Sequence, residues 1–380
     1  EMLRSLVGSE MCIRDRNKDI ARHVKARFCL NEGTHYKYHD ELEYASEAEK
    51  WLQMAATESD KLITSGRYEI YNTGHPQEDY FNMYRIDDKS DLKEAVLYVD
   101  YKTNIREHNM AAAGREAGCG FSKSFVESFL CSDGLPISLS NKYLGDETMR
   151  KETANRDPRL KQLILTNDFP TNVTDDLKDS TFVVNEDEFI TQHCFTGYRP
   201  IKGFNPIYSQ ALYMKSSFDG IAYRYAETLL INAEAKAELN TITNADLDRT
   251  VNQLRDRVGM PHLTVNVGFT DPKWPDWGYS LSPVLQEIRR ERCIELAGEG
   301  FRFNDLKRWK AGKLLNNVLT YVGKRKPDGN LAIVYPNYTN PDLSYQAGKS
   351  RTWEDKMYLY PIPTGELQRN PQLLPQNPGW

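Results

Sequence analysis

The sequence predicts a mainly α protein, built from helical hairpins around an irregular, loop-rich insert with short strands. Three observations lead there. Apolar residues recur at helical spacing in three separate stretches, each holding two helices and a short break. Between the first and second stretches, Gly, Pro, Asn and Asp clusters interrupt short β-like runs. In the third stretch arginines fall on the apolar face of a helix, which suits the interior of a helical assembly.

Residues 1–16, EMLRSLVGSEMCIRDR, show neither periodicity nor a capping residue leading into the next segment. The run SLVGSEMCIRDR resembles a translated sequencing-adapter peptide, so 1–16 is expected to be a non-native leader, with the native chain starting near Asn17 inside a helix and its true N-terminus missing. Residues 17–380 then read as one domain. In 17–70, helical patterns run from Ile20 to Leu30 and from Glu41 to Thr64, where Ala48, Leu52, Ala55 and Leu62 share a broad face and Ser65-Gly66 stops the helix. Residues 71–220 form the mixed insert, with EAVLYVDY as its clearest strand-like run. Two further hairpins occupy 221–322. The first joins a helix carrying Ala226, Leu229, Leu230, Ala233 and Ala237 to one from Ala245 to Val258, ended by Gly259 and Pro261. The second runs from Pro283 through Lys313. Residues 323–380 end in a Pro- and Asn-rich stretch, expected as an extended strap with one turn from Thr364. Three hairpins with small contact residues make a tetratricopeptide-like superhelix whose repeat is broken by the insert.

The stretch EIRRERCIELAGEGFRFNDLKRWKAG (Glu287–Gly312) is the most charged part of this superhelix. At about 100° per residue, Leu285, Ile288, Cys293 and Leu296 share a face, and Arg289 and Arg292 lie among them. A guanidinium turned inward stays charged and must be paired. Glu295, three residues after Arg292, is a local partner, and acids on neighbouring helices are equally available. Arg289, Arg292 and Glu295 are therefore expected as structural ion pairs. A DNA-reading helix would hold such arginines outward and unpaired.

The ordered segments YRYAETLLINAEAKAEL, VNQLRDRVGMP, EIRRERCIELAGEGFRFNDLKRWK and YLYPIPTGELQRNPQLLPQNPGW, preceded by FVESFLCSDGLPI and NRDPRL, resemble the SusD/RagB family of nutrient-binding outer-membrane lipoproteins of Bacteroidetes. The resemblance implies a tetratricopeptide-like scaffold that binds glycans, or in some members peptides, and docks on a SusC-like TonB-dependent transporter. It implies a surface or periplasmic location at the outer membrane, through a lipid anchor that this chain does not show. Part of the ligand site in relatives lies in an N-terminal portion expected to be missing here.

Bulk properties narrow the partners. A net charge of -5 over 380 residues does not supply the basic footprint of a nucleic-acid binder. The six cysteines show no zinc spacing, so no metal or cofactor is expected; Cys119 and Cys131 would pair only in an oxidising compartment. Nucleophile-elbow, zinc-protease and phosphate-loop motifs are absent from the sequence, and the expectation is no enzyme. Glycoside hydrolysis needs only two carboxylates and stays as an alternative, beside a protein-binding helical adaptor.

Aromatic residues make up 11% of the chain against a mean hydropathy of -0.66, so some rings should face water as ligand surface. Two loops are candidates for sugar contact. DPKWPDWGYS offers Trp274, Trp277 and Tyr279 in a proline-stiffened segment, against the favoured plainer reading that these rings plug the gap between two hairpins. YKTNIREHNMAAAGREAG offers Arg106, His108, Asn109 and Arg115 for hydroxyls and Tyr101 for stacking, with Tyr143 further on; its plain alternative is a solvated loop.

Overall fold

The computed structural model describes residues 10–113, 120–172, 174, 180–191, 193–205, 207–333 and 352–380. Helices α1 (Glu10–Tyr38) and α2 (Ala48–Ile63) form the first hairpin. α1 continues well past Leu30, where the helical pattern was expected to end, and through Gly33. Gly33 is required there because α2 passes against it: a Cβ would sit 2.8 Å from Leu52 Cγ. α2 starts later than expected, after two 3-10 turns at Asp40–Leu42 and Ala45–Glu47.

Helix α3 (Tyr225–Glu238) is the axis around which the other helices are arranged, and of its residues only Lys236 is not buried. Its Leu229, Leu230, Ala233 and Ala237 meet Leu247, Leu254, Leu285 and Ile288 on one side. Ile231 and Ala235 meet Ala26, Leu30, Leu52 and Ala55 of the first hairpin on the other. Alanines at these contacts let the helix axes approach, and each fully buried Leu or Ile contributes about 1.5–3 kcal/mol.

The helix expected from Ala245 to Val258 is two helices, α4 (Asn244–Asp248) and α5 (Val251–Arg257). Thr250 leaves the helical region (φ -131°, ψ -94°), and its Oγ1 donates to the Asp246 carbonyl at 2.6 Å. A threonine hydroxyl competing for the backbone in this way breaks the ladder. The break turns both Leu247 and Val251 inward, fully buried. Helices α6 (Pro283–Glu295) and α7 (Arg302–Arg308) complete the third hairpin. The turn between them passes through Gly298 (φ +75°) and Gly300 (φ +85°), positions where a β-carbon would be strained.

The insert contains one-turn helices at Asp79–Tyr84, Lys123–Ser128, Met149–Thr153 and Arg159–Leu163, gathered around Tyr80, Phe129, Leu160 and Tyr198. Strand β1 (Ala95–Val99) pairs antiparallel with β2 (Gly220–Arg224), setting Ala95 opposite Arg224 and Val99 opposite Gly220. β2 runs straight into α3, so the insert is tied to the scaffold at its return point.

The arginines of α6 do point inward. Arg289 donates from Nη2 to Glu238 at 2.9 Å and lies 4.4 Å from the Trp309 ring. Arg292 donates from Nε to Asp305 of α7. Of the two kinds of partner left open for Arg292, the acid on a neighbouring helix is taken and Glu295 is not. Glu295 instead takes Arg257 and Arg224 at 2.6 Å each and Arg159 at 3.0 Å. Guanidinium groups arriving from α5, β2 and the insert reach both carboxylate oxygens, a geometry that a neighbour on the same helix does not match.

Candidate functional site

Where the first hairpin, β2 and the α6–α7 turn converge, the surface opens into a cleft of about 750 Å³. α1 contributes Arg27, Leu30 and Asn31; β2 contributes Gly220 to Ala222; the glycine turn and α7 contribute Glu299, Phe301 and Asn304. Lys202 and Phe121 of the insert close the far wall. The two turn glycines matter here, because they carry Phe301 out of α6 and set its ring against the cleft.

The electrostatics of the walls are mostly settled by pairing. Lys202 gives its three protons to Tyr80 Oη, the Ala297 carbonyl and Glu299 Oε1. Burial lowers its ammonium to about 8, with Glu299 opposing. Burial pushes Glu299 up, but Arg224 and Lys202 outweigh it and hold the carboxyl below its usual range. Asp305 behaves alike: burial raises it, and Arg292 with Arg308 bring it down. A glycosidase acid needs a raised pKa to deliver a proton near neutrality. Glu299 and Asp305 are shifted the other way, so they suit holding charge and not donating protons.

The loop singled out at Tyr101 forms the rim. It pairs with the segment around residues 207–218 through the bridge His108–Ser216 and through Asn109 Oδ1, which accepts Met214 N–H at 3.1 Å. These two segments enter the cleft wall at Met110 and Asp219. Their outer side carries Tyr213, 73% exposed, with Ile105, Tyr208 and Met214. Tyr101 is half-buried, and the exposed Arg106 lies 4.9 Å over its ring. His108 is a correction to the sequence reading. Its Nε2 donates to the Phe218 carbonyl, its Nδ1 accepts Met110 N–H, and its ring sits between Tyr101 and Phe218. Both nitrogens are occupied, so His108 builds the rim and has no atom left for a hydroxyl. Arg115 lies outside the described residues. Tyr143 is half-buried under Arg156 and does not line the cleft.

The tryptophan loop is a second correction. Trp277 is only 6% exposed, edge-on to Trp309, with Nε1 donating to Gln286. Trp274 donates to Glu287, and Tyr279 stacks on Tyr38 at 4.4 Å while donating to the Trp309 carbonyl. Trp277 and Tyr279, with Tyr38 and Trp309, box the Arg289 guanidinium at the junction between hairpins, while Trp274 is half-buried beside Phe269. Cys131, considered for a disulfide with Cys119, is a free buried thiol, and Cys119 lies outside the described residues.

Phe301, Arg27, Lys202 and Asn304 escaped the sequence reading. Phe301 and Asn304 had one signal, the Gly298-Glu299-Gly300 triplet before them, since two glycines between helices mark a backbone bent for a reason, and Arg27 and Lys202 had none.

A family model described as the SusD family matches residues 57–380. SusD-like protein P2 of Formosa agariphila is 33% identical over 166 residues, which is 44% of this chain and 27% of that protein. A SusD-like protein from Bacteroides fragilis superposes with a TM-score of 0.65 at 24% identity, covering 96% of this chain and 65% of the other. A SusD-like carbohydrate binding protein from the same species gives a TM-score of 0.62 at 22% identity, covering 94% and 64%. The chain thus spans less than two thirds of the length of these relatives. The structural likenesses agree with the mainly α, tetratricopeptide-like fold described above.

Proposed function

This chain belongs to the SusD family, and we propose that it binds an oligo- or polysaccharide without cleaving it and presents the glycan to a SusC-like TonB-dependent transporter. In this reading the protein sits at the outer membrane, held there by a lipid anchor. Its contribution is physical: capture beside the transporter mouth raises the local concentration of ligand and so the chance of uptake. The observation that carries the proposal is the cleft, where flat rings and polar side chains share one cavity. Phe121 and Phe301 are apolar faces for a pyranose, while Asn31 and Asn304 offer amide donors and acceptors for hydroxyls. The exposed Tyr213 and Tyr208 extend this surface along the rim. The depressed Glu299 and Asp305 favour binding over hydrolysis.

Calorimetric titration against a panel of neutral and acidic glycans, with peptides as a second panel, tests the reading. Glycans should bind, Asn304→Ala and Tyr213→Ala should each weaken binding by about tenfold, roughly 1.4 kcal/mol, and no reducing sugar should be released over hours. Silence across the glycans would overturn it. Binding confined to peptides would move the chain to the peptide-binding members of the family.

A further inference from the structure

Four cationic side chains line the cleft, Arg27, Lys202, Arg292 and Arg308, against three acids, Asp219, Glu299 and Asp305. They are not equivalent. Lys202 has spent its three protons, as above. Arg308 is spent as well: Nε on Asp305, Nη1 on Thr34 and Glu234, Nη2 on Glu234. Arg292 differs, because only its Nε is used, on Asp305. Its side chain is 4% exposed, and Nη1 is buried without an acceptor. Neither of its terminal nitrogens donates to any acceptor among the described residues. Arg27 gives Nε and Nη2 to Glu227, and its Nη1 likewise has no acceptor among the described residues.

The two arginines come from different elements, yet both stack on one ring. Arg27 lies 5.0 Å and Arg292 5.4 Å from the centre of Phe301. A buried N–H with no partner, as at Arg292 Nη1, is costly, and more so on a charged group. An incoming acceptor would recover that cost. A guanidinium edge is planar and fits two oxygens side by side, as a carboxylate or a sulfate ester presents them.

We propose that the cleft contains an oxyanion subsite, formed by Arg27 and Arg292 beside Phe301, which selects glycans carrying carboxylate or sulfate groups. The inference rests on the glycan-binding reading and deepens it. The acidic substituent takes the unspent terminal nitrogens beside Phe301, and the sugar extends from there along the cleft. Glu227 and Asp305 already offset part of the charge of the two arginines, so directed donors more than net charge set the preference, and the effect is moderate.

The test compares oligogalacturonate, a sulfated chondroitin oligosaccharide and a neutral oligosaccharide of equal length, with inorganic sulfate as a fourth arm, all by calorimetry on the full chain. One or both acidic glycans should bind at least about tenfold tighter than the neutral one, and which of them does identifies the anion. Arg292→Lys keeps the pairing to Asp305 but removes the forked pair of terminal nitrogens, and Arg27→Lys keeps the pairing to Glu227 but removes the one spare directed N–H; each should bring the acidic-to-neutral ratio back towards one. Thermal unfolding of both variants checks that they fold, and Arg27→Lys, at a partly exposed position, serves if Arg292→Lys does not. Equal affinity for acidic and neutral glycans, or a ratio unchanged in the variants, refutes the subsite and leaves glycan binding standing. Sulfate alone binding as tightly as the glycans refutes sugar recognition at this point. Failure of every glycan refutes the subsite and the parent reading together.

Discussion

Removing the charge of Glu295 should be among the most damaging single changes available in this protein. Its carboxylate is fully buried and receives Arg257 and Arg224 at 2.6 Å and Arg159 at 3.0 Å. Three charge-assisted bonds at about 1.5–3 kcal/mol each would suggest a loss of roughly 4.5–9 kcal/mol. The surroundings reduce that figure. Arg159 keeps Asp157 and Glu291, and Arg224 keeps Glu94 and Glu299. Only Arg257 is left poorly served, with Glu94 at 3.4 Å as its remaining partner. One stranded guanidinium costs about 3–5 kcal/mol. Against a total stability of about 5–15 kcal/mol, Glu295→Gln should therefore remove about a fifth or more of the whole. Urea unfolding at pH 7, followed by tryptophan fluorescence, measures it. The surface pair Lys93–Glu69, with both side chains about two thirds exposed, is the control, and Glu69→Gln should leave the midpoint unmoved. A Glu295→Gln midpoint indistinguishable from that control would refute the view that the arginine network holds the helices together.

Three further outcomes are expected from the same geometry. Trp277→Ala should cost about 3–5 kcal/mol of stability and leave glycan affinity unchanged, since the ring is buried on Trp309; weakened binding in a folded variant would return the tryptophan loop to the site. Gly33→Ala gains about 1 kcal/mol of helix propensity but drives a Cβ to 3.0 Å from the Leu52 backbone nitrogen, so a lower melting temperature is expected and a higher one would mean that α1 and α2 are further apart than described. Acid should destabilise the fold through Glu227, which burial raises but His23 and Arg27 hold at about 2. Its folded pKa lies below the unfolded value of about 4.3, so its share of stability is present above that value and is lost as pH falls towards 2, about 3 kcal/mol in all. The gap between urea midpoints at pH 7 and pH 3 should narrow in Glu227→Gln; an unchanged gap would show that Glu227 is not the group responsible.

The sequence by itself determined the helical hairpins, the turn of Arg289 and Arg292 towards the interior and the long irregular insert. Each of these is written in local periodicity: apolar spacing of about 3.6 fixes a face, and a charge on that face has nowhere to go but inward. Helix limits were less legible. The first helix was expected to end at Leu30 and runs on to Tyr38, and Thr250 looks like helix until its hydroxyl is seen on Asp246. The site was legible only in part. Tyr101, Arg106 and Asn109 fall in a loop that leads to the cleft wall at Met110, but His108 and Trp277 were judged by residue type, and residue type does not say which atoms are already engaged. The partners of Glu295 likewise came from elements far along the chain, which local spacing cannot rank. What tertiary structure alone decided was the cleft itself. Arg27 and Arg292 are separated by 265 positions in sequence, and only the packing of α1 against the α6–α7 turn brings both to Phe301 with donors to spare.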